Sequence, residues 1–494
     1  MADNVLASKC IDVCVDYAIK NLELCAQDAD YVRNELLALL GFNEYEPTQA
    51  QWQGENIQDR VYELCDAGLV QEDELGVVFD RIMGCVTPVP SVLNKHFEQL
   101  EQQESSEKAM RWFYDLCVQN TYVKRAQLLA NPRFDSHGLV ITINTSKPEF
   151  KNMAKAATGN AVQGGYPQCT ICHENEGFVG RLKSTLRTIP MRLGEQSWFW
   201  QFSPYGYFEQ HGICVNSKHT PMVVNRNTFV HLIDFVKRFP NYFLGCNAAL
   251  PRIGGSVLAH DHYQGGGEHM PMHHAKALHS FELVRAGNTV LIEVLDWPGT
   301  AIRIVSQSAE NIIESSEAIR SAWASYNNAE LNIISSLQGE QQSSVSPSLV
   351  VTERGYEMNI ILRNNAVSEE YPDGIFHAHP QYYAVKQEPI GLIEAQGLFI
   401  LPGRLVQQLA QLEELLLQGQ TDLPKELEEF ELVWNELKEK IAGLKIDREM
   451  VQSAIREELG SVCYRILENT AVFKNKNDVI NFVESIEYFR KIKM

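Results

Sequence analysis

The chain lacks any run of 18 apolar residues, so no segment is long enough to cross a bilayer as a helix. Its first ten residues hold no basic stretch followed by an apolar core, which argues against a secretory signal. Positive charge is scarce: 43 Lys and Arg stand against 63 Asp and Glu, for a net charge of −20. A nucleic-acid surface needs clustered basic residues, so that partner class is excluded. The eleven cysteines form no regular framework, which points to a reduced, cytoplasmic location. No internal repeat is visible. Low complexity is confined to Gln338–Ser346, expected as an exposed loop closed by Pro347.

What is present is a globular chain, 45% hydrophobic over 494 residues, long enough for roughly two to four structural units. Residues 1–135 read as helical. Val32–Leu40 has helical apolar spacing and stops at Gly41; residues 67–83 suggest a helical hairpin; the polar run 97–108 fits a solvated helix or a linker. From 139 the pattern turns to strands, at 139–144, 198–202, 211–216 and 242–247, and again at 290–295, 301–305, 348–352 and 356–362. Amphipathic helices are expected at 228–239 and within 309–338. Two successive strand–helix groups suggest a duplicated α+β unit, at 136–300 and 301–405. Residues 406–494, rich in Leu, Glu and Lys, read as a helical tail.

The most informative stretch is His260-Asp261-His262-Tyr263-Gln264, with Gly254 and Gly255 before it and Gly265, Gly266 and Gly267 after it. Residues 256–259 are β-prone, so a strand is expected to run into the motif. Alternation would then place His260, His262 and Gln264 on one face. Two imidazoles and an amide among glycines make a surface that a phosphate can approach. An imidazole can attack phosphorus, and an amide can hold the developing charge.

These residues resemble the histidine-triad superfamily. The longer run from Phe243 to Gly266 is similar to the galactose-1-phosphate uridylyltransferase family, in its longer, second subfamily. Gln264, where the hydrolase branch has a third histidine, marks the transferase branch. The blocks Ile141–Pro148, Tyr166–Gly177, Asn216–Met222 and Lys386–Leu405 resemble the same subfamily. The resemblance implies two histidine-triad-like antiparallel halves between an N-terminal helical region and a C-terminal helical tail. It also implies an exchange of UMP between UDP-glucose and galactose 1-phosphate, and a homodimer. His262 would be the nucleophile of a ping-pong reaction and Gln264 would bond a phosphoryl oxygen. Asn247 and Ser256 would lie at the phosphates, and Lys386, Glu394 and Gln396 at the hexose.

His260 either orients the phosphate or binds a metal. The family's zinc ligands in the shorter subfamily are a Cys-x-x-Cys pair and two histidines. Cys169 and Cys172 supply the pair, which is half of a tetrahedral site. Asn216 falls where the remaining histidine would be, and His219 and His173 are nearby substitutes. Such a zinc would be structural, because the displacement needs no Lewis acid and hence no cofactor. Other readings fit part of the pattern. A dinucleoside polyphosphate phosphorylase would share the nucleophile, a metal hydrolase would use His-x-His with His269, His273, His274 or His279, and a non-catalytic module would keep only nucleotide binding. Anionic substrates in so acidic a chain require local cations. Candidates are Lys124, Arg125, Arg133, Arg181, Lys183, Arg187, Arg192, Lys218, Arg252, Lys386 and Arg404.

Overall fold

The computed structural model describes residues 2–146, 165–255 and 257–490. Its strands are β1 (Arg133–Ser136), β2 (Leu139–Asn144), β3 (Ile189–Leu193), β4 (Gln196–Phe202), β5 (Gly212–Asn216), β6 (Phe243–Gly245) and β7 (His262–Gly266). They continue as β8 (Ala277–Arg285), β9 (Asn288–Leu295), β10 (Ala301–Ser306), β11 (Ser336–Leu337), β12 (Glu340–Gln341), β13 (Ser343–Thr352), β14 (Gly355–Asn364) and β15 (Leu398–Pro402).

Ten of these strands form one antiparallel sheet in the order β3-β4-β5-β7-β6-β13-β14-β10-β9-β8. The order reveals a repeat of topology. β3, β4, β5, the helix Arg226–Arg238, β6 and β7 pair as 3-4-5-7-6. β8, β9, β10, the helix Ala309–Ser325, β13 and β14 pair as 8-9-10-14-13, which is the same pattern. The halves join edge to edge, with Leu244 opposite Leu349 and Gly245 opposite Ser348. The expected α+β class with antiparallel halves and helices at both ends is what the fold displays.

Local sequence explains these elements. The helix Arg226–Arg238 starts with a capping box between Asn225 and Thr228 and buries Phe229, Leu232, Ile233, Phe235 and Val236 against the sheet. Trp198, Phe199, Trp200 and Phe202 are all buried on β4, and aromatics of this size account for much of the main core. The expected exposed loop is found at 338–341, in the hairpin of β11 and β12, but not at 342–346. Ser343 opens the ten-residue strand β13, which passes through Pro347 and buries Ser343, Ser346 and Ser348. Hydrogen bonds make the burial of two of them tolerable: Asn364 Nδ2 donates to Ser343 Oγ at 2.8 Å, and Ser348 Oγ lies 3.1 Å from His273 Nε2, while Ser346 Oγ is buried without a partner among the described residues.

Helices Ala2–Asn21, Ala29–Leu40, Ile57–Asp66 and Leu75–Val86 close a core of their own. The polar run 97–108 is largely the solvated helix of the two alternatives: it closes the helix Pro90–Gln103, and Ser105 caps the helix Ser106–Gln119, with Phe97 its one buried residue. The tail does more than cap. Its helices Arg404–Leu417, Glu431–Ile441 and Arg448–Thr470 complete a second core over the sheet β1-β2-β15, while Phe473 and Phe482 return to the main core. No single helix among the described residues is long and apolar enough to cross a membrane. The bent pair Leu75–Val86 and Pro90–Gln103 reaches that length together, but it buries Phe79, Ile82, Met83, Val86, Leu93 and Phe97 inside the protein.

Candidate active site

β7 begins at His262; residues 257–261 are turn and coil rather than the expected strand. The His260 amide donates to Val257 O and the Asp261 amide to Thr220 O, which turns the chain before it enters the sheet. As a result the three side chains do not share one face. His262 and Gln264 line a cavity of about 510 Å³, and His260 turns away toward the cysteines. Tyr263 points to the opposite side as expected, stacking on Trp198 at 4.7 Å and bonding His231 Nδ1 at 2.8 Å.

His262 is buried, and its Nδ1 lies 2.8 Å from the carbonyl oxygen of His260. A carbonyl only accepts, so Nδ1 carries the proton and Nε2 carries the lone pair. Burial holds this imidazole below the usual histidine range, which keeps it neutral and nucleophilic. Asn247 also lines the cavity. Its Oδ1 accepts from Leu392 N at 2.9 Å, so the side chain that resembles a phosphate contact also fixes the opposite wall. Ser256 lies outside the described residues.

The glycines divide into two groups. Gly254 and Gly255 line the cavity with φ of +54° and +94°, conformations that L side chains rarely adopt. The downstream glycines do not open a path for phosphate. A Cβ on Gly265 would collide with the Phe243 carbonyl oxygen, and one on Gly266 would lie 2.6 Å from Gln210 O. Gly265 and Gly266 are required by close strand packing, whereas a Cβ on Gly267 would meet only ordinary contacts with Gln210.

Cys169, Cys172, His219 and His260 converge, with their four donor atoms all within 4.8 Å of one another. The sulfurs are 3.5 Å apart, His260 Nδ1 is 3.2 Å from Cys169 Sγ and 3.6 Å from Cys172 Sγ, and His219 Nδ1 is 3.2 Å from Cys172 Sγ. A tetrahedral zinc sets sulfurs about 3.8 Å apart and sulfur and nitrogen about 3.6 Å apart, so the donor set fits that ion. His260 Nε2 lies 2.8 Å from the Asn216 carbonyl oxygen. That bond places the proton on Nε2 and aims the Nδ1 lone pair at the sulfurs, a support commonly found behind metal-binding histidines. Asn216 thus contributes its backbone to the site while its side chain bonds Gln196 and the Lys218 amide. His219, left open between two candidates by the sequence, is the fourth side chain; His173 contacts Thr188 and Glu176 instead.

The model of "Galactose-1-phosphate uridyl transferase, N-terminal domain" matches residues 23–221. A Bifidobacterium longum subsp. longum protein named galactose-1-phosphate uridylyltransferase is 56% identical, over 97% of each chain. Proteins of the same name from Pediococcus pentosaceus (37% identical, covering 90% of this chain and 92% of that one) and Streptococcus mutans (35%, 96% and 99%) are also similar. The chain belongs to the galactose-1-phosphate uridylyltransferase family. A solved structure, yeast Ap4A phosphorylase Apa2, aligns at a TM-score of 0.30 and 10% identity, over 57% of this chain and 82% of that one, too distantly to bear on function.

Of the residues that the family resemblance places at the hexose, Lys386 and Glu394 line the cavity and Gln396 does not. Lys386 Nζ pairs with Glu388 at 2.9 Å and Glu394 at 2.7 Å and donates to Ile400 O at 3.0 Å. Gln396 is fully buried, its Oε1 2.8 Å from His273 Nε2. That contact commits His273 to the interior. Among the described residues, the one group with metal-binding geometry is the Cys169 cluster, so the His-x-His hydrolase finds no first shell there. Tyr207, His211 and Glu388 also line the cavity and were not anticipated. Glu388 could have been sought as a buried lysine's partner two residues along. His211 carried no signal, because its place follows from β5 pairing with β7.

Proposed function

We propose that the protein moves UMP from UDP-glucose to galactose 1-phosphate through a covalent uridylyl group on His262. The observation that carries this reading is the His262 tautomer: Nδ1–H tied to the His260 carbonyl, with Nε2 exposed to a cavity of about 510 Å³. That volume lies within the range of small-molecule sites, roughly 300–1,000 Å³.

In the first step the Nε2 lone pair attacks the α-phosphorus of UDP-glucose. The P–O bond to glucose 1-phosphate breaks and its electron pair leaves with that product. The proton on Nδ1 stays in place, so the uridylyl-imidazolium is held by the His260 carbonyl. In the second step a phosphate oxygen of galactose 1-phosphate attacks the same phosphorus, the P–N bond breaks and UDP-galactose departs. One nucleophile serves both displacements, which gives ping-pong kinetics. Gln264 lines the same cavity and would donate its amide to a non-bridging oxygen.

Cys169, Cys172, His219 and His260 would hold a structural zinc. Its chemistry there is to lock the turn at His260. Because the His260 carbonyl orients His262, that turn positions the nucleophile without joining the reaction. A cytoplasmic location and a homodimer complete the reading.

UDP-glucose labelled in the uridylyl phosphate, incubated alone with the protein, is expected to leave acid-labile, base-stable label on the denatured chain and to release glucose 1-phosphate. His262→Gly should take no label. Unlabelled wild-type protein would overturn the assignment, and labelling by a dinucleoside polyphosphate instead would select the phosphorylase reading.

A further inference from the structure

Each displacement adds or removes a negative charge at the sugar phosphate, and the structure must meet that charge inside a chain of net charge −20. Among the described residues two cations line the cavity, Lys386 and Arg252. Lys386 is already committed to the carboxylates of Glu388 and Glu394, so that cluster presents the ligand with no surplus positive charge. Arg252 is paired with no carboxylate among the described residues. One terminal nitrogen lies 3.1 Å from the Asn365 backbone oxygen and 3.1 Å from the Asn365 side-chain oxygen in the amide orientation that satisfies both its ends, which leaves Nε and the other terminal nitrogen unengaged among the described residues.

The turn that carries Arg252 is held in place by its backbone, and Asn365 holds the guanidinium. Arg252 has φ of +63°, an unusual conformation for a residue with a Cβ and one that persists where surrounding contacts enforce it. Those contacts are the bond to Asn365 and the close approach of Gly254, where a Cβ would lie 2.9 Å from Gly391 N and 3.1 Å from Ile390 O. The strained turn sits between Asn247 and Gly255, both on the cavity wall.

We propose that Arg252 is the phosphate-binding residue that receives the charge of the sugar 1-phosphate, as leaving group in the first half-reaction and as attacking group in the second. The inference rests on the uridylyltransferase reading. When the P–O bond breaks toward glucose 1-phosphate, a bridging oxygen becomes terminal and the phosphate becomes a dianion; no proton or redox partner is involved. A planar fork of donors suits that group better than a point charge.

The test is the rate of label transfer from UDP-glucose to protein in a single turnover. Arg252→Gln keeps a donor for Asn365 O but no charge, and should slow the transfer about 10- to 100-fold, the range for losing a charge-assisted hydrogen bond. Arg252→Ala should be at least as slow, and should recover with added guanidinium chloride at non-denaturing concentration but not with equal NaCl. A folded Arg252→Gln protein that transfers within threefold of wild type would overturn the proposal. So would an Arg252→Ala protein that ignores guanidinium. Wild-type protein that takes no label at all would instead overturn the reading of the site, and this proposal with it.

Discussion

Gly265→Ala tests the finding that the glycine after Gln264 serves strand packing rather than phosphate access. The added methyl would collide with the Phe243 carbonyl oxygen and would sit 2.9 Å from Phe243 C and 3.0 Å from Leu244 Cα. Carbon atoms rest about 3.5–4.0 Å apart, and every atom in the way belongs to the backbone of β6, so no side chain can swing aside. Relief requires β6 to move by an ångström or more. β6 pairs with β7 through Phe243–Gly266, Leu244–Gly265 and Gly245–Gln264, and on its other side it forms the seam with β13. Overpacking a well-packed interior costs about 1–3 kcal/mol, and each strained ladder hydrogen bond adds about 0.5–1.5 kcal/mol. The expected loss is therefore about 3–5 kcal/mol, a large share of a stability of about 5–15 kcal/mol. Urea denaturation should report it as a lower midpoint with little change in slope. Label transfer should fall as well, because Gln264 and Asn247 flank the displaced segment. Gly76→Ala is the control: a Cβ there meets nothing within 4 Å, and the residue is helical, so it should be neutral or stabilising by up to about 1 kcal/mol. A Gly265→Ala loss below about 1 kcal/mol would refute the packing argument.

Two further outcomes follow from the same geometry. Wild-type protein should carry about one zinc per chain by elemental analysis; His219→Ala should lose it, whereas Asn216→Ala, which keeps the carbonyl behind His260, should retain it. Stability should fall on acidification: burial depresses His211 and His231 to about 4 and His273 to about 3. The folded state keeps these rings neutral while the unfolded chain takes up protons below the ordinary value of about 6.5. Their contribution is therefore complete above that pH and is lost progressively as pH falls toward 4. A melting temperature flat from pH 7 to 4.5 would contradict this burial.

How much of this was legible in the sequence depended on whether the signal was local. Strands of apolar alternation and the helix ending before Pro240 were legible, because periodicity and stop residues act within a few positions. The duplicated unit was legible as two strand–helix groups, but its limits and identical strand order were not: the second unit begins at β8 rather than at 301, and β1, β2 and β15 form a separate sheet, because pairing is set by contacts far apart in sequence. The strand expected at 348–352 is the second half of β13; its first half was missed because its serines read as a polar loop, and Asn364, which bonds the buried Ser343, lies 21 residues away. At the site, type and spacing singled out His262 and Gln264, which line the cavity, and the Cys169–Cys172 pair, which lies in the cluster with His219 and His260. His260 was placed on the wrong face, because two backbone hydrogen bonds, to Val257 and Thr220, override the β propensity of residues 256–259. That error is instructive, since the same turn that removes His260 from the cavity delivers its carbonyl to His262 Nδ1 and its imidazole to the cysteines. Two histidines two residues apart thus take different places, one turned to the cysteines and one lining the cavity. Neither place follows from alternation along a strand; both follow from where the backbone carbonyls of His260 and Asn216 point.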